Sequence, residues 1–130
     1  MERRHRVVVV GAGFGGLALV DELAEAPVDV VLVDRNNFHT FQPLLYQVAT
    51  AGLDSDDIAH PVRGIVARRR NVDVRMGKVV DVDLASRRVR FDEGPPLEYD
   101  HLVLAAGAVT ATYGVPGIAE HAHGLKHIDD

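Results

Sequence analysis

The 130-residue sequence contains no cysteine. A disulfide framework, a thiolate metal site and a cysteine nucleophile are therefore excluded within it. Positive charge is also short. Lys and Arg number 14 against 19 Asp and Glu, giving a formal net charge of −5. A nucleic-acid surface needs a positive face, so no nucleic-acid partner is expected. Long apolar runs are missing too. The longest, Val7 to Val20, is shorter than a membrane span needs, and Gly11, Gly13, Gly15 and Gly16 interrupt it. A charged segment precedes it, but the run passes into Asp21 and Glu22 rather than a small-residue cleavage site. The expectation is a soluble, cytoplasmic protein. Hydrophobic residues make up 47% of the chain, enough for one ordinary core.

What is present begins with Val7 to Val10, a β-branched run that reads as a strand buried on both faces of a parallel sheet. A Gly-rich turn follows, from Gly11 to Gly16. Leu17, Val20, Leu23 and Ala24 then recur at helical spacing, with Pro27 ending the helix. Val28 to Val33 is a second β-branched run closing on Asp34. Strand, turn, helix and strand make one βαβ unit. From Arg35 to Leu53 periodicity is lost, and a loop rich in large apolar side chains is expected to pack on the core or a ligand. Ser55, Asp56 and Asp57 read as a helix start, with Ile58, Val62, Ile65 and Val66 as its buried stripe and Arg68 to Arg70 in its last turn. Alternation at Val72–Met76, Val79–Leu84 and Val89–Phe91 predicts short strands in an antiparallel meander. Leu102 to Ala106 reads as a last buried strand, and the tail from Ala108 as irregular.

Gly11-Ala12-Gly13-Phe14-Gly15-Gly16 fits G-x-G-x-x-G. The first Gly permits a tight turn, the second a close approach by a pyrophosphate, and the third close helix–strand packing. The motif is weak alone. Here a buried strand precedes it, an amphipathic helix follows, and Asp34 ends the next strand at the expected distance. The competing reading is a structural Gly-rich turn without ligand. Asp34 is suited to accept from ribose hydroxyls and to repel a 2′-phosphate, which favours FAD or NAD over NADP. Arg35 beside it reads equally as a solvated charge or a cofactor contact.

These residues resemble the FAD-binding half of the two-dinucleotide-domain flavoprotein oxidoreductases. More narrowly, the chain resembles the type II, non-proton-pumping NADH:quinone dehydrogenases. The narrower match rests on Asn37 to Ala49, with its Phe-Gln-Pro-Leu-Leu-Tyr-Gln run, on Asp57 to Arg63, on Tyr99 to Gly107, and on Gly114 to Gly117. The resemblance implies an α/β fold: a Rossmann-like FAD/NAD-binding domain, its mainly parallel sheet flanked by helices, with a small antiparallel β-meander. It implies an enzyme passing electrons from NADH through non-covalently bound FAD to a quinone. Carried over by position, Gly11, Gly13, Phe14, Gly15 and Gly16 hold the FAD pyrophosphate. Asp34 with Arg35 holds the adenosine ribose, and Val79 meets the adenine through its backbone. Gln42 approaches the flavin side, and Ala106 and Gly107 lie by the cofactor. No catalytic residue is assigned. Relatives often carry Ala-Thr-Gly where this chain has Ala105-Ala106-Gly107; the close backbone approach is kept, without the hydroxyl that any side-chain hydrogen bond there would use. The disulfide-reductase relatives carry a cysteine pair after the second strand. Phe41 to Ala49 holds none, leaving flavin-only electron transfer.

Residues 1–130 thus read as an N-terminal FAD-binding domain, a fragment whose NAD-binding and C-terminal domains lie outside it. The alternative is a truncated or stand-alone dinucleotide-binding module without catalysis of its own. Complete relatives imply peripheral membrane contact on the cytoplasmic face through C-terminal regions, and a homodimer is compatible with the resemblance. The loop from Phe41 to Tyr46 reads either as a flavin-side wall or as simple core packing. His121, His123 and His127 have metal-like spacing without further ligands, and no metal is expected. Asp54, Asp56 and Asp57 lack the rest of a calcium loop, and Arg68 to Arg70 read as a solvated helix end.

Overall fold

The computed structural model describes residues 3–130. Its centre is strand β1, His5–Val10, where β-branched side chains suit a surface packed on both sides. Helix α1, Phe14–Leu23, and strand β2, Val28–Asp34, complete the βαβ unit. The helix stops at Leu23, ahead of Pro27. Asn71 Nδ2 donates to the carbonyls of Leu23, Ala26 and Val28, which gathers the chain into a turn there.

The segment expected to be loop holds regular structure. Strand β3, Phe38–Thr40, and helix α2, Leu45–Ala49, flank a 3₁₀ turn at Gln42–Leu44. The helix expected from Ser55 is broken. A 3₁₀ turn spans Ser55–Asp57, strand β4 covers Ala59–Pro61, and helix α3 covers only Val62–Val66. Pro61 lacks an N–H and enters α3 as its N-cap at ψ 126°, so the helix starts after it. Residues 59–61 instead pair antiparallel with β3, matching His39 to His60. Arg68 to Arg70 lie past the helix end, where Arg69 donates to the Ile65 carbonyl and pairs with Asp21.

Strand β5, Val72–Met76, is the main departure from the expected meander. It runs parallel to β2, matching Val30 to Val72. The meander is β6, Val79–Asp83, β7, Arg88–Phe91, and β8, Leu97–Glu98. Strand β9, His101–Leu104, pairs parallel with β1. It is an edge strand with Leu104 exposed, not a fully buried one. One turn of helix, α4, Ile118–His121, interrupts the tail.

The four-stranded parallel sheet has the order β5-β2-β1-β9. Alternation along β1 gives it two faces. Val7 and Val9 pack with Val20 of α1 and with Val62 and Val66 of α3. Val8 packs with Val33, Val89, Phe91 and Tyr99 on the meander side. The result is three layers: helices, parallel sheet, meander. Each fully buried Val or Leu here contributes roughly 1.5–3 kcal/mol over leaving it exposed.

Candidate functional site

The chain leaves β1 toward β2 on one side, and β9 lies on the other. That reversal makes the carboxyl ends of β1 and β9 the switch point, where open α/β sheets bind ligands. Gly11 sits there at φ +109°, and a Cβ on it would lie 2.2 Å from the Ala105 carbonyl oxygen. Only glycine permits this turn. Gly16 is constrained differently, since its Cβ would lie 1.8 Å from the Gly11 oxygen. Its absence lets α1 sit directly against the turn.

Gly13 and Gly15 are under no such steric demand, although Gly13 is the N-cap of α1, where glycine is favoured. A Cβ on either meets no atom within 4 Å. Gly13 has an ordinary φ of −80°. Both line a cavity of about 380 Å³. A side chain on Gly13 or Gly15 would reach into space beside that cradle, which suits a bulky group pressed against backbone.

The first N–H groups of α1 have no intrahelical partner. The first turn carries no acidic residue to occupy them. The charged side chains lining the cavity are Asp34, Arg35 and Lys126, so cations exceed acids locally in a net-acidic chain. Helix N-terminus and cations together favour an anion such as a diphosphate.

Asp34 is built into the turn. Its Oδ2 accepts the Ala12 N–H at 2.8 Å and its Oδ1 accepts the Asn36 N–H at 2.8 Å. A carboxylate offers about four acceptor sites, so roughly two remain for ribose hydroxyls. The Ala12 carbonyl is held as well, by His39 Nδ1 at 2.8 Å. The His39 ring meets Phe14 edge-on at 5.2 Å, and Phe14 meets Phe41 at 5.5 Å.

The expected residues mostly converge. Gly11, Gly13, Phe14, Gly15, Asp34, Arg35, Gln42, Ala106 and Gly107 line the main cavity. Val79 lines an adjoining cavity of about 260 Å³, which shares Gly11, Asp34, Arg35 and Ala106. Gly16 lies beneath the turn and lines neither. Phe41 and Tyr46 are largely exposed while Leu45 is buried, so core packing claims only part of that loop.

The sequence alone assigns no contact at the cofactor site to His39, Asn36, Lys126 or His127. The last two arrive through the tail. Gln42 Nε2 donates to the Leu125 carbonyl at 3.1 Å. The N–H groups of His127 and Lys126 donate to Asp130, holding its carboxyl below the usual carboxylate range. This turn sets Lys126 and His127 at the cavity. Nothing in the tail's composition signals it. Among the described residues, no three His, Asp or Glu gather as metal ligands would.

A parallel sheet with a Gly-rich turn after its first strand and an acid closing its second defines the Rossmann-type dinucleotide-binding class. The chain belongs to the pyridine nucleotide-disulphide oxidoreductase family, whose model matches residues 5–130. It is 45% identical over 131 aligned residues to the type II NADH:quinone oxidoreductase Ndh of Mycobacterium tuberculosis, covering 98% of this chain and 28% of that protein. NDH2 from Plasmodium falciparum, solved in complex with NADH, superposes with a TM-score of 0.87 at 25% identity, over 98% of this chain and 27% of that one. The sulfide:quinone oxidoreductase of Aquifex aeolicus shares the fold, with a TM-score of 0.88 at 24% identity over 96% of this chain and 29% of its own. The chain thus spans under a third of the length of these relatives. Its 130 residues contain no thiol for the disulfide chemistry in the family's name.

Proposed function

We propose that residues 1–130 are the FAD-binding portion of a type II NADH:quinone oxidoreductase, with the NAD-binding and C-terminal domains outside them. The observation that carries the cofactor reading is the cradle at Gly13 and Gly15, where no steric clash calls for glycine and both line the cavity. The 45% identity to the mycobacterial enzyme narrows it to the type II branch.

The residues fit the cofactor's parts. Backbone N–H groups of Gly13, Phe14 and Gly15 at the α1 N-terminus hold the diphosphate, with Arg35 and Lys126 adding positive potential. Asp34 keeps acceptor sites for the adenosine ribose. Val79 meets the adenine through its backbone, and Gln42 lies toward the flavin. Ala106 and Gly107 offer backbone without bulk. A flavin bound here would supply the redox chemistry that links NADH to a quinone. The protein's share is binding, orientation and exclusion of water. Peripheral association with the cytoplasmic face of a membrane and homodimer formation belong to the same reading and rest on the resemblance.

No helix among the described residues is long and apolar enough to cross a membrane. The experiment is reconstitution with FAD, followed by gel filtration. Flavin absorbance co-eluting with the protein is expected, and its absence overturns the reading. Anaerobic NADH then separates two cases. Bleaching means these residues suffice for hydride transfer. Unchanged absorbance means they act as a dinucleotide-binding module without catalysis of their own.

A further inference from the structure

We infer that His39 is a positioning residue for the diphosphate, acting through the Ala12–Gly13 peptide; the inference rests on the functional reading above. The Ala12 residue is 2% exposed. A carbonyl only accepts, so at 2.8 Å His39 donates from a protonated Nδ1, leaving Nε2 as its free nitrogen. The peptide unit is planar and trans, so its C=O and N–H point in opposite directions. Holding the Ala12 oxygen therefore fixes the direction of the Gly13 N–H. Gly13 lines the cavity, and among the described residues no protein acceptor pairs with its N–H.

The neighbouring peptide is fixed in the same way, because Asp34 accepts the Ala12 N–H. Two side chains from outside the turn thus clamp consecutive peptides. Asp34 ends β2, in the central sheet. His39 sits on β3, in a separate two-stranded sheet anchored by its pairing with β4. The Phe14 ring at 5.2 Å restricts the imidazole from another side. A donor aimed in advance at an anion spares the ordering that a mobile loop would need on binding.

The test uses ADP, which carries the diphosphate without the flavin, and two variants. His39→Leu removes the donor. His39→Asn keeps an N–H near the place of Nδ1. Affinity is read by calorimetry, and the Gly13 amide by ¹H–¹⁵N NMR. In the wild type, ADP should move the Gly13 amide proton downfield. In His39→Leu that shift should be lost and Kd should rise about tenfold. His39→Asn should restore both. An unchanged Kd and Gly13 shift in His39→Leu overturns the inference and leaves the functional reading standing. A wild-type protein that binds neither ADP nor FAD overturns the functional reading itself. If His39→Leu does not fold, the imidazole ¹⁵N shifts of the wild type decide. Protonation at Nδ1 is required, and a ring protonated only at Nε2 overturns the inference.

Discussion

Asp34 Oδ2 accepts the backbone N–H of Ala12 at 2.8 Å, so the acid closing β2 is tied into the turn leaving β1. The spacing between Gly-rich turn and acid therefore does structural as well as binding service. Asp34→Ala leaves the buried Ala12 N–H without its partner. The expected loss of stability is about 1–3 kcal/mol, read from urea unfolding. FAD affinity should fall with it. Asp34→Asn retains a side-chain oxygen and should lose less stability.

The four glycines of the turn should answer the same substitution in different ways. Gly11→Ala and Gly16→Ala drive a Cβ into backbone atoms at 2.2 and 1.8 Å, and should each lose at least ~2 kcal/mol of stability. Gly13→Ala, at the α1 N-cap, should lose no more than about 1 kcal/mol of stability and weaken FAD binding. Gly15→Ala should raise stability by roughly 0.5–1 kcal/mol, because alanine is the better helix residue and meets no atom. Its FAD affinity should nevertheless fall. Equal effects at all four positions would contradict the division between fold and site.

Asp100 gives a pH prediction away from the site. It accepts the Arg6 N–H at 2.7 Å and the Arg3 guanidinium at 2.8 and 2.9 Å, and these hold its carboxyl below the usual 3.8. A folded-state value below the unfolded one stabilises at pH above the unfolded value. That stabilisation is lost as pH falls through the folded-state value. Urea midpoints of the wild type should therefore drop as pH is lowered below about 4. Asp100→Asn should start lower at neutral pH and fall less steeply. Parallel curves would contradict the assignment.

How much was legible in the sequence follows from where each signal lies. The β1-α1-β2 unit was readable because its β-branched runs, Gly spacing and Asp34 are all local. The same alternation marks β5 and the strands of the meander, so sequence could not tell that β5 joins β2 in the parallel sheet. That choice is made by packing on both faces of the sheet. The helix expected from Ser55 overlooked Pro61, whose missing N–H forces a break. His39 was visible as a residue but not as a partner of Ala12, because β3 comes near the turn only through tertiary folding. Lys126 and His127 were hidden for the same reason: an irregular tail carries no periodicity to show where it returns.

The most direct test of the central claim is an equilibrium FAD titration of the wild type beside Gly13→Val, with flavin absorbance read after removal of free cofactor. The Cβ of a valine at Gly13 meets no protein atom within 4 Å beyond its chain neighbours, and its methyl groups add bulk at the cavity lining. One FAD held per wild-type chain and none in the variant is expected, with the variant's stability lowered by no more than the lost glycine N-cap, about 1 kcal/mol. A wild type without bound flavin, or a variant that binds it equally well, overturns the assignment of this cradle to FAD.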